Sequence, residues 1–233
     1  MSDILVVSIY PTLLGTYGDG GNVLALHHRA RLHGIGVEVI EVEPGQAVPE
    51  SADLYVLGGG EDSAQTAAAD ALRTDGALIR AADSGAAVLA VCAGYQLLGE
   101  YFPDATSTAT PGLGILDIRT ERLPKRAVGE LAATAKDPLT QILTGYENHA
   151  GGTQLGPDAA PLGAVRSGIG NGNGSEGATS GHVIGTYLHG PCLARNPQLA
   201  DLLLGWAVGA DLNFIEEPEV TQLREERLRT VLG

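Results

Sequence analysis

Lysine is almost missing from this chain. Of its 14 basic residues only Lys125 and Lys136 are lysines, and 28 acidic residues oppose them. The net charge of −14 repels phosphate backbones and anionic lipid, which argues against nucleic acid and membrane surfaces as partners. Cysteine is scarce as well. Cys92 and Cys192 are too few for a disulfide framework, and no Cys or His pair has zinc-site spacing, so no metal is expected. Aromatic residues make up 4% of the chain, so the core must be aliphatic and alanine-rich. No apolar run reaches the ~18 residues of a membrane span. No leader-like segment precedes the first strand-like run, and a cytoplasmic protein with free thiols is expected. GxxxxGK[ST] does not occur, so there is no P-loop for ATP, and Gly58-Gly59-Gly60-Glu61-Asp62 lacks the GxGxxG spacing of a dinucleotide site, where its acidic residues would oppose a pyrophosphate.

What is present is a chain of 233 residues, 44% apolar and 18% charged, enough for one packed domain over residues 1–233. Buried-strand patterns fall at 4–10, 53–57 and 88–91, and an alternating one at 37–42. Helical patterns fall at 23–33, 64–83 and 95–101. This alternation predicts an α/β fold, a single flavodoxin-like domain with a mostly parallel central sheet flanked by helices. Shorter strands are expected at 114–118, 145–149 and 183–187, and a helix at 196–208. A mobile glycine-rich surface loop is expected at 168–181, and a charged, helical C-terminal tail at about 216–233.

The most informative residue is Cys92. The run Val88-Leu89-Ala90-Val91 ends at it, and Ala93-Gly94-Tyr95-Gln96 opens a helix. A thiol at such a strand–turn–helix junction faces solvent at the top of a sheet. The helix N-terminus favours its thiolate, which is a nucleophile. The strict elbow has glycine two residues before the nucleophile, and here that residue is Ala90. The bland alternative is a buried core cysteine. Ligands of parallel sheets bind beyond the carboxyl ends of the strands. Gly58-Gly59-Gly60 lies at another such end, and a glycine N–H there, with that of Ala93, would form an oxyanion hole. Otherwise it is a tight turn with Glu61 and Asp62 at a helix start. His189, in Tyr187-Leu188-His189-Gly190-Pro191, projects from a strand end, with His149 as the second candidate. His27, His28 and His33 read as a polar helix face. Cys192 reads as structural.

Together Cys92-Ala93-Gly94-Tyr95-Gln96, Gly145-Tyr146-Glu147-Asn148-His149 and Thr186-Tyr187-Leu188-His189-Gly190-Pro191 resemble class I glutamine amidotransferases of the cobyric-acid-synthase type. Tyr17-Gly18-Asp19-Gly20-Gly21-Asn22, Gly170-Asn171-Gly172-Asn173-Gly174 and Gly190 to Pro197 are similar to the branch of glutaminase subunits of lipid II isoglutaminyl synthases. The resemblance covers nearly the whole chain. It implies that Cys92 attacks the side-chain amide of L-glutamine and that His189 is its base. It also implies that Gly60 and Ala93 form the oxyanion hole and that Arg126 holds the substrate carboxylate. Many members of the class have glutamate two residues after the histidine. Here Pro191 stands there, leaving a Cys-His dyad or an acid from elsewhere, with Asp19 and Glu147 as candidates. Gln96 and His149 are further auxiliary candidates.

The ammonia released must meet an activated carboxylate, and without a nucleotide site here that chemistry belongs to another polypeptide. No cofactor is expected in this chain; ATP and Mg are expected on the partner. The resemblance implies a Mur-ligase-like synthetase (MurT) that amidates D-glutamate of lipid II, so that lipid II is met through the partner. A glutaminase for a cobyrinate-type synthetase and a non-enzymatic flavodoxin-like binding protein stand as alternatives.

Overall fold

A computed structural model of the chain describes residues 3–233. Its elements in order are β1 (Ile4–Ile9), α1 (Gly21–Leu32), β2 (Val37–Val42), β3 (Leu54–Leu57), α2 (Asp62–Asp75), α3 (Ala77–Asp83), β4 (Ala87–Val91), α4 (Ala93–Leu97), β5 (Tyr101–Pro103), β6 (Ala109–Pro111), β7 (Ile118–Ala135), β8 (Ile142–Leu155), β9 (Gly163–Ser167), β10 (Ser175–Glu176), β11 (Ala178–Ser180), β12 (Val183–Thr186), α5 (Cys192–Arg195), α6 (Pro197–Val208) and α7 (Pro218–Leu232).

The first sheet has the order β11-β12-β4-β3-β1-β2, parallel except for β11. Its inner strands β3, β4 and β12 are buried throughout, as strands covered on both faces must be. At the edge, β2 is largely half-buried or exposed. Because β1, β3, β4 and β12 run the same way, their carboxyl ends come together, and the loops after them can share one site.

A second sheet, β10-β9-β7-β5-β6 with β8 paired to β7, was not expected as a sheet, although the strand expected at 145–149 lies inside β8. The long β7–β8 hairpin dominates it, and only Ile118 of the strand expected at 114–118 joins it. The register breaks between Arg122 and Ala127. Such an irregularity bends a strand and re-aims its side chains.

Other boundaries also differ from the sequence reading. The helix expected over 64–83 is two helices, split at Gly76, whose left-handed φ of 70° ends α2. The one expected over 95–101 starts earlier and stops at Leu97, and Tyr101 already belongs to β5. The glycine-rich 168–181 segment, expected as a surface loop, is partly built into the sheets. It contains β10 and β11, and it buries Asn171 and Glu176. Its glycines serve left-handed backbone at Gly168, Gly170, Gly172 and Gly174.

One buried ion network ties the C-terminal segment to the body. Arg29 of α1 donates to both oxygens of Asp201 on α6 (2.8 and 2.5 Å) and to Glu217 (2.7 Å). Arg29 and Asp201 are each only 3% exposed, so each charge relies on the other. Asp201→Ala leaves that guanidinium short of its partner and is expected to cost about 3–5 kcal/mol. Urea unfolding of variant and wild type checks this.

Candidate active site

Cys92 links β4 to α4 with φ 54° and ψ −105°, a conformation that side-chain-bearing residues rarely adopt. Surrounding bonds hold it there. Its N–H donates to the Thr186 carbonyl (2.8 Å), and the Gly94 N–H to the Gly58 carbonyl (3.1 Å). Gly94 has no room for a side chain: a Cβ would lie 2.8 Å from the Gly58 oxygen. The thiol is 8% exposed, at the floor of a cleft rather than open to solvent as the elbow pattern suggested.

His189 follows β12 and is held from behind by paired backbone bonds with Tyr146 (2.8 and 3.1 Å). Its Nδ1 lies 3.0 Å from both oxygens of Asp19, a carboxylate completely buried in the loop before α1. The other Asp19 contact is the Gly59 N–H, which donates to Oδ2 at 2.8 Å. A Cβ on Gly59 would sit 2.8 Å from His189 Cε1, 3.2 Å from Asp19 Oδ2 and 3.4 Å from Cys92 Cβ. The ends of β3, β4 and β12 and the loop after β1 thus converge on one point that only glycine can occupy.

Burial opposes a charge on His189, but the hydrogen bond to Asp19 and the Cys92 sulfur outweigh it, raising its pKa to about 10. Its Nε2 has no protein hydrogen-bond partner. A proton is therefore held on a ring that has one nitrogen fixed by a carboxylate and the other left for chemistry.

Each residue of the Tyr17-to-Asn22 motif that bears a contact has a visible task. Tyr17 packs edge-on against the His189 ring (5.1 Å between centroids). Gly21 lies so close to Pro191 that a Cβ would be 2.3 Å from Pro191 Cγ, and Asn22 Oδ1 accepts the Leu193 N–H (2.9 Å). Gly60 and Ala93 both line the cleft with Cys92, and among the described residues neither N–H has a protein acceptor. Arg126 stands at the rim, placed there by the break in β7. It donates to Asn148 Oδ1 (2.6 Å), whose amide nitrogen donates to the Tyr17 hydroxyl (2.5 Å).

The remaining candidates lie beside the reacting groups. Gln96 lines the cleft and is fixed by Gln65 (3.0 Å) and the Tyr187 hydroxyl (3.2 Å). His149 also lines it, stacked on Tyr187 at 3.6 Å, with Nδ1 2.7 Å from the Gly151 carbonyl. Glu147 does not bond His189. Its carboxylate accepts the N–H groups of Ile169 (2.8 Å) and Gly170 (2.9 Å) and lies 3.3 Å from His149. Cys192 is a free, buried thiol whose pKa burial pushes up. Sequence reasoning missed Asn148 as a bridge, and it missed Gln65, Glu61, Asp62 and Arg122 on the cleft wall. Only the folded β7–β8 hairpin brings Arg122 to Asp62 (2.8 Å).

Residues 5–197 match the model of the CobB/CobQ-like glutamine amidotransferase domain. The chain belongs to this family. It is 34% identical to the lipid II isoglutaminyl synthase (glutamine-hydrolyzing) subunit GatD of Staphylococcus aureus (strain N315), over all of this chain and 96% of that one. It is 36% identical to GatD of Streptococcus pneumoniae (strain ATCC BAA-255 / R6), over 87% of this chain and 80% of that one. With the cobyric acid synthase of Sphingopyxis alaskensis it shares 37% identity over 72% of this chain but only 34% of that longer protein. Among solved structures, a glutamine amidotransferase superposes with a TM-score of 0.58 at 18% identity, covering 87% of this chain and 98% of that one. The glutaminase domain of Trypanosoma brucei CTPS, solved with bound acivicin, gives 0.53 at 10% identity, covering 92% and 97%. These two likenesses concern the fold alone. The family accounts for the α/β architecture. Among the described residues, no helix is long and apolar enough to cross a membrane.

The raised His189 pKa has a stability consequence with a definite sign. Between its ordinary value of 6.5 and about 10, the folded chain keeps a proton that the unfolded chain has lost. This contribution is fully present below about pH 6.5 and is lost as pH rises through about 10. Asp19→Asn should flatten that decline, as measured by urea unfolding across this interval.

Proposed function

We propose that this chain is the glutaminase subunit of a two-chain amidating enzyme. It hydrolyses L-glutamine to glutamate and ammonia through a cysteine thioester. The observation that carries this reading is the meeting of Cys92, His189 and Asp19 around the single point beside Gly59.

Cys92 Sγ, as thiolate, attacks the glutamine side-chain amide carbon. The carbonyl electrons move onto oxygen, which the Gly60 and Ala93 N–H groups receive. His189, protonated through its link to Asp19, gives its proton to the departing nitrogen. Ammonia leaves as the tetrahedral adduct collapses to a γ-glutamyl thioester. Neutral His189 then takes a proton from water. The water oxygen attacks the thioester, glutamate is released, and the thiolate returns with the imidazolium restored. Asp19 is a positioning residue: it fixes which ring nitrogen faces Cys92 and favours the charged ring. Arg126 holds the substrate α-carboxylate with its planar fork. Glu61, on the cleft wall, supplies the opposite charge for the α-ammonium.

The ammonia then serves a Mur-ligase-like synthetase of the MurT kind, which carries ATP and Mg and amidates D-glutamate in the lipid II stem peptide. Support comes from the full-length similarity to GatD proteins, whose names describe a subunit of lipid II isoglutaminyl synthase. Lipid II would meet the partner, not this acidic chain.

Three outcomes are expected when glutamate release from L-glutamine is measured with the candidate synthetase present. Cys92→Ala abolishes it while the fold is kept. Arg126→Met raises KM far more than it lowers kcat, because it removes a contact to a part of the substrate that does not react. Gly59→Ala, which pushes His189 away from Cys92, lowers kcat by roughly 100-fold. Normal turnover in Cys92→Ala would rule out the thioester route.

A further inference from the structure

We propose that the groove between α7 and the body of the domain is a binding site for a phosphate group, carried by a phosphomonoester or free in solution. The groove is lined by Thr144 of β8, Ala194 and Arg195 of α5, and Val220, Leu223, Arg224 and Arg227 of α7. It shares no residue with the Cys92 cleft, so it stands or falls independently of the glutaminase reading.

In a chain of net charge −14, three guanidinium groups around one groove need an explanation. Glu130 accounts for two, meeting Arg195 at 2.9 Å and Arg227 at 3.2 Å. Arg224 is different. It donates only to neutral oxygens, Asn196 Oδ1 (3.2 Å) and the Ile142 carbonyl (2.7 Å), and it forms no ion pair with any described carboxylate. Burial alone acts on it and holds its pKa below the usual guanidinium value. Among the described residues Glu130 is the only carboxylate in an ion pair with any of the three, so the groove has an excess of positive charge at its wall. Arg224 is half-buried, and a partly desolvated cation without a counter-charge is unfavourable, which an arriving anion would relieve.

The second observation is independent of charge. Thr144 is 1% exposed, lines the same groove, and its Oγ1 has no hydrogen-bond partner. The backbone of Thr144 is already satisfied by Asn196, so the hydroxyl is what remains to be used. The polar residues that line the groove, Thr144, Arg195, Arg224 and Arg227, come from a strand and two helices. Phosphate, with acceptor oxygens in several directions, can meet such a set, whereas a carboxylate presents only one plane. Val220 and Leu223 give the groove an apolar wall that could take the organic part of a monoester.

The test is calorimetric titration of the full chain with inorganic phosphate, phenyl phosphate and acetate at constant ionic strength. Saturable binding of at least one phosphate ligand is expected, weakened about tenfold or more in both Thr144→Val and Arg224→Met. The tighter of the two phosphate ligands identifies the free ion or the monoester as the better occupant. Thr144→Val keeps the side-chain shape and serves if Arg224→Met loosens α7, with circular dichroism reporting the fold of each. No saturable phosphate binding, equal binding of acetate, or wild-type binding in folded Thr144→Val would overturn the proposal.

Discussion

The carboxylate of Asp19 is the interaction on which the rest of the site depends. One oxygen accepts the Gly59 N–H, and both lie 3.0 Å from His189 Nδ1, so one buried group joins the loop after β1 to the ends of β3 and β12. A carboxylate in such a place needs hydrogen bonds on most sides. Here it has them from a peptide N–H and an imidazole. The parallel sheet brings the strand ends within reach, but this bond decides how the imidazole faces the thiol.

Two other buried acids work on the frame rather than on His189. Glu147 gathers the N–H groups of Ile169 and Gly170 and so folds the glycine-rich segment onto β8. Glu176 accepts from the Thr186 hydroxyl (2.5 Å) and the Tyr187 N–H (2.9 Å), at the end of the strand that leads to His189. Burial raises its pKa to about 7. The left-handed glycines in this segment let the backbone turn tightly enough for its N–H groups to meet these carboxylates. What reads in sequence as a flexible tract is thus a hydrogen-bonded, partly buried wall behind the site.

The parallel half of the fold was legible because fully buried strands leave unbroken apolar runs, as in Ile4–Ile9 and Ala87–Val91. The elbow at Cys92 was legible because the run stops at a thiol followed by small residues. Of the β7–β8 hairpin, only the stretch 145–149 of β8 was. Over Glu121 to Arg126 its sequence is charged and proline-containing, and its pairing partners lie across a register break. Asp19 and Glu147 were both open candidates in sequence, because Pro191 stands where many members of the class carry the acid and nothing local ranks the two. Only three-dimensional placement separates the acid that meets His189 from the one that meets a loop. Gly76 and Leu97 show the remaining weakness: helical periodicity continues through residues where a left-handed turn or a new strand ends the helix.

The central claim is that Asp19 holds His189 in its charged form beside Cys92. NMR titration of the His189 ring in wild type and Asp19→Asn tests it most directly. The account predicts an imidazole that stays protonated well above neutrality, near the alkaline value of about 10, and titrates at lower pH in the variant. A wild-type ring that titrates at the ordinary 6.5 and does not move in Asp19→Asn would contradict it.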